Sequence, residues 1–96
     1  MAENSDGGID KNKLKQEILG EIHGLENVSN DHRTKAIVGS VVRPLREALD
    51  AANRGDKTKM REHLTEAEAE IDVLESSIQN KVRDPFNSIR RKIQQL

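Results

Sequence analysis

From residue 11 onward, the apolar residues of this chain return at steps of three and four, and no segment alternates with the period of two that a half-buried strand requires. Leu14, Ile18, Leu19, Ile22 and Leu25 form one such run, and Ile37, Val38, Val41, Leu45, Ala48, Leu49 and Ala52 a second. Met60, Leu64, Ala67, Ile71, Leu74 and Ile78 follow at alternating four- and three-residue steps, the average of 3.5 residues that marks a coiled-coil-like seam. Phe86, Ile89, Ile93 and Leu96 continue at helical spacing to the end. The pattern admits only an all-α fold.

The punctuation between the runs sets the helix boundaries. Asp10 is a helix-capping residue placed just before the first run, and Ser29-Asn30-Asp31 offers three more before the second. Arg54-Gly55-Asp56 combines a glycine for the left-handed position that ends a helix with an aspartate that caps the next. Asp84-Pro85 has the form of a cap followed by proline at the first helical position. Helices are therefore expected over residues 11–26, 31–53, 57–83 and 85–96. Val82 and Phe86 also extend the third run, so one long helix kinked at Pro85 competes with the separate pair. Pro44 falls inside the second helix, where it removes the bond to the Ser40 carbonyl and predicts a kink.

Short connections make consecutive helices antiparallel, which predicts an antiparallel hairpin or bundle of three to four helices. Residues 1–8 are small, polar and glycine-ended and are expected to form a flexible, disordered tail on a single helical domain over residues 9–96. Leu, Ile, Val and Phe make up about a quarter of the chain, enough to fold, but with one aromatic and no cysteine the core is thin and unsupported by disulfides. Chains of this size commonly supplement such a core by self-association. The absence of cysteine, of a long apolar stretch and of a signal-like N-terminus gives the expectation of a cytoplasmic protein with no membrane span.

The pattern of reactive residues points away from catalysis. There is no cysteine, no nucleophile elbow and no phosphate-binding glycine loop, and no cofactor or small-molecule substrate is expected. His23, His32 and His63 are scattered, and His63 with Glu66 forms a single i, i+3 pair that reverses the order found in di-iron bundles, so no metal site is expected. Glu62, Glu66 and Glu70 read as a solvated ladder. Arg54-Gly55-Asp56 matches an integrin-type tripeptide and Asn27-Val28-Ser29 a glycosylation sequon, but both have sufficient structural explanations as turns.

Charge is the remaining functional signal. The net formal charge is −1, yet from Asp56 to Glu75 seven acidic residues face three basic, and from Lys81 to Leu96 five basic face one acidic. Two readings follow. In the first, the chain is a non-enzymatic protein–protein interaction or assembly protein that self-associates through Met60, Leu64, Ala67, Ile71, Leu74, Ile78, Phe86, Ile89, Ile93 and Leu96, its charges complementing a neighbouring subunit. In the second, Arg33, Lys35, Arg43 and Arg46 of the second helix, with Lys81, Arg83, Arg90, Arg91 and Lys92, bind the phosphates of a nucleic acid. A third possibility, a small inhibitor of a larger enzyme, has no residue pattern of its own.

Overall fold

A computed structural model describes residues 10–96, and the tail expected over residues 1–8 lies outside them. Four helices follow in order: α1 (Lys11–Glu26), α2 (His32–Asn53), α3 (Lys57–Asp72) and α4 (Ser76–Gln94). Three of the four start on aspartates. Asp10 accepts hydrogen bonds from the amides of Asn12 and Lys13, Asp31 from the amide and hydroxyl of Thr34, and Asp56 from the amide of Lys59. Each such cap satisfies amide donors that the first helical turn leaves open and is worth about 1 kcal/mol.

The turn at Arg54-Gly55-Asp56 is a two-bond helix terminus. Gly55 has φ of 78°, its amide donates to the Ala52 carbonyl, and the Asp56 amide reaches back to the Ala51 carbonyl at 2.9 Å. The chain reverses in three residues, and α2 and α3 pack against each other more extensively than any other pair.

The cross-helix ion pairs give the directions. Glu26 at the end of α1 meets Arg46 in the middle of α2, Glu68 and Asp72 of α3 meet Arg90 and Arg83 of α4, and Glu17 and Glu21 of α1 meet Lys92. The reversed order of the partners makes α3 and α4 antiparallel, the turn at Arg54-Gly55-Asp56 folds α3 back on α2, and α4 returns to lie against α1, so the result is an antiparallel bundle. Because α1 ends beside the middle of α2, the pairs are staggered and the molecule is long, 47 × 26 × 17 Å along its axes. Its radius of gyration of 14.1 Å exceeds the roughly 12 Å of a compact chain this size.

Twenty-one apolar side chains form one core drawn from all four helices, and among the described residues no polar or charged side chain is buried. Phe86 is its largest member and is fully enclosed.

Two boundaries differ from expectation. The third helix, expected over 57–83, stops at Asp72, and the fourth, expected over 85–96, starts nine residues earlier at Ser76 and runs unbroken through Pro85. Antiparallel folding at residues 73–75 explains the shift. It turns Ile78, Val82, Phe86, Ile89 and Ile93 back onto the core that Met60, Leu64, Ala67 and Ile71 already form. A straight helix through this region would leave that apolar face without cover from its own chain. α2 likewise continues through Pro44 as one helix.

Candidate functional site: the α2–α3 groove and the α3–α4 turn

The ten residues of the expected seam are interior or partly interior in this fold. Met60, Leu64, Ala67, Ile71, Ile78, Phe86, Ile89 and Ile93 are buried, while Leu74 and Leu96 are half-buried against the same core. Their apolar surface is covered by α1, α2 and one another. Only two large hydrophobics among the described residues are exposed, Leu19 at 47 % and Val73 at 78 %.

The nine expected phosphate contacts separate into groups. Four are engaged by carboxylates of neighbouring helices: Arg46 with Glu26 at 2.9 Å, Arg83 with Asp72 at 3.4 Å, Arg90 with Glu68 at 3.7 Å, and Lys92 with Glu17 and Glu21. Arg90 also stacks over Phe86, 5.5 Å from its centroid. Arg90 pairs toward α3 and Lys92, two residues on, toward α1, so the C-terminal cluster divides across α4 instead of forming one strip. Arg33, Lys35, Arg43, Lys81 and Arg91 are exposed. The charge asymmetry read from the sequence is therefore used in part within the chain, as pairing between helices.

The best-connected of these pairs is Glu21 with Lys92. Partial burial raises the Glu21 carboxyl, but hydrogen bonds from Lys92 and Ser88, reinforced by the charges of Lys92 and Arg91, outweigh it and hold the group below its ordinary value. The Lys92 ammonium is correspondingly raised, chiefly by its hydrogen bond to Glu21.

Two features remain once these contacts are placed. The first is a groove of about 420 Å³ between α2 and α3, lined by Ser40, Arg43, Pro44, Glu47, Glu66, Ala69 and Glu70. Pro44, which has no amide hydrogen to donate to the Ser40 carbonyl, lies within this lining. At its edge His63 Nδ1 lies 2.6 Å from Glu66 Oε1 and 3.6 Å from Glu47 Oε1. The i, i+3 pair of His63 and Glu66 was visible in the sequence, but Glu47 belongs to another helix, and only the register of the α2–α3 hairpin brings it in.

The second is the turn at Val73-Leu74-Glu75. It contains no glycine or proline, Glu75 at the α4 N-cap makes no side-chain capping bond, and its φ and ψ of −60° and 150° are extended. The turn is held instead by Gln79, whose amide donates to the carbonyls of Leu74 at 2.8 Å and Asp72 at 3.3 Å. Arg83 in turn donates to Gln79 Oε1 and Asp72 Oδ1. These contacts are a polar latch at the surface over a segment whose residues are all compatible with a helix.

Compared with protein-family models, with curated proteins and with solved structures, the chain gives no significant match.

Proposed function

We propose that this protein works by association and not by catalysis, and that it self-assembles by exchanging α4 between copies at the α3–α4 turn. The observation that carries the reading is the apolar seam, which steps from Met60 through Ile78 to Phe86 at helical spacing across a turn that contains no helix breaker. If residues 73–75 become helical, α3 and α4 join into one helix, and the face that α4 buried against its own chain is covered by the same residues of a second copy. The interior contacts are conserved, so the two forms differ mainly in the turn, its latch and the entropy of association. Val73, the first residue of the segment that straightens, is exposed and so gives up no packing when the turn becomes helical. A cysteine-free chain of this composition suits the reducing cytoplasm.

Ser76→Pro distinguishes the two forms. Ser76 is the first residue of α4, where proline is well tolerated, and the preceding Glu75 already has the extended backbone that a following proline requires. In a continuous helix the same proline lies in the interior and costs about 3 kcal/mol. Light scattering behind size-exclusion chromatography, after incubation at high protein concentration, is expected to show a dimer of the natural chain and only monomer for Ser76→Pro. A natural chain that stays monomeric at every concentration overturns self-assembly, and a dimer insensitive to Ser76→Pro assigns assembly to another surface. Adding a short DNA duplex at low salt tests the competing partner, since a duplex-dependent shift moves the function to Arg33, Lys35, Arg43, Lys81 and Arg91.

A further inference from the structure

We infer that Glu47, His63 and Glu66 form a binding site for a single divalent transition-metal ion of the zinc class, clipping α2 to α3. The three side chains present one imidazole nitrogen and two carboxylate oxygens that all lie within 4.8 Å of one another. Zinc bonds to such donors at about 2.0–2.1 Å, which in a tetrahedral site separates neighbouring donors by about 3.3 Å. His63 Nδ1 stands 3.6 Å from Glu47 Oε1 and is hydrogen-bonded to Glu66 Oε1 at 2.6 Å, so an ion would replace the proton that joins that pair and move the Glu66 oxygen outward to the tetrahedral spacing.

The scaffold beneath these donors is fixed. Glu47 precedes buried Ala48 and Leu49, His63 precedes buried Leu64, and Glu66 precedes buried Ala67, so the core sets the three backbone positions. His63 itself is 23 % exposed at its side chain, whereas Glu47 and Glu66 are 53 % and 59 % exposed and can adjust their long side chains to the ion. Three protein donors leave a coordination position toward the adjoining groove, where Glu70 lies one helical turn beyond Glu66 and could serve as an outer partner. The donor set also selects the ion. A neutral imidazole with two carboxylates suits zinc and its first-row neighbours, whereas calcium and magnesium require six or more oxygens. Arg43 lines the same groove and opposes a cation there, which limits the affinity but does not occupy a donor.

The site lies wholly within the α2–α3 hairpin, on one side of the α3–α4 turn, so it is independent of helix exchange. Its register dependence explains why the sequence showed only the His63–Glu66 half.

Titration of the full chain with zinc chloride, followed by calorimetry and by the circular dichroism melting curve, tests the inference. The natural chain is expected to take up one ion per chain in the micromolar range and to melt higher with the ion bound. His63→Gln, and separately the double variant Glu47→Gln with Glu66→Gln, are expected to weaken uptake at least tenfold while retaining the helical spectrum. The variant His23→Gln with His32→Gln removes the other two imidazoles and is expected to bind as the natural chain does. Absence of one-to-one uptake overturns the site, and so does uptake that survives His63→Gln or disappears in the His23/His32 variant.

Discussion

At the scale of single residues, the contact that most depends on charge is Glu21 with Lys92. Glu21 titrates below its ordinary value of 4.5 in the folded chain, because Lys92 and Ser88 hold its ionised form more strongly than partial burial disfavours it. A carboxyl depressed by folding contributes stability that is present above its unfolded pKa and lost as pH falls through the lower, folded one. Lys92 is raised above 10.5, so its share is present below that value and lost as pH rises through the folded one. Replacing Glu21 with Gln removes the acidic limb. Thermal melts at a series of pH values are expected to show Glu21→Gln less stable than the natural chain at neutral pH. The gap should close as pH drops below 4.5, and a gap independent of pH would mean that Glu21 acts by packing alone. Asp31 is likewise held low, by the amide and hydroxyl of Thr34, and adds to the same acid sensitivity.

At the scale of the element, the contrast between two candidate breaks is instructive. Asp84-Pro85 carries the sequence marks of a helix start, yet α4 passes through it, while Val73-Leu74-Glu75 carries none and is the turn. Local signals identified α1, α2 and the Gly55 turn to within a residue, because there the capping aspartates and the left-handed glycine act on neighbouring backbone. They failed at α3–α4, because that reversal is imposed by the burial of two apolar stripes on one core. Proline at 85 loses one helical bond and is outweighed by enclosure of Val82, Phe86 and Ile89 on either side of it. A turn made by packing and not by sequence needs a latch, and Gln79 is that latch. Gln79→Ala removes both bonds to the Asp72 and Leu74 carbonyls and is expected to cost the monomer about 1 kcal/mol, read as a lowered urea midpoint. A continuous helix has no use for these bonds, so the same substitution should enrich the dimer in chromatography. A dimer fraction unchanged or lowered by Gln79→Ala would separate the latch from assembly.

At the scale of the whole molecule, the sequence announced a thin aliphatic core and an uneven charge distribution, and the fold relates the two. All four helices contribute to one apolar interior, while acidic α3 and the glutamates of α1 receive the cations of α4 along its two edges. Which cation would meet which carboxylate was not legible beforehand, since pairing across helices depends on stagger, and for the same reason Glu47 could not be assigned to His63. Exposed pairs of this kind contribute only about 0.2–1 kcal/mol each, so they select the antiparallel arrangement more than they hold it together. The apolar interior does the latter, and under the proposed exchange the same residues would form it in the closed monomer and in the dimer. What must change is length. A helix running from Lys57 to Gln94 spans about 57 Å at 1.5 Å per residue, longer than the 47 Å axis of the closed chain. Small-angle X-ray scattering on the isolated dimer is therefore expected to give a maximum dimension well above that of the Ser76→Pro monomer, with helical content undiminished. A dimer formed by two closed chains lying side by side would instead keep its longest dimension near that of the monomer, and would exclude the straightened helix.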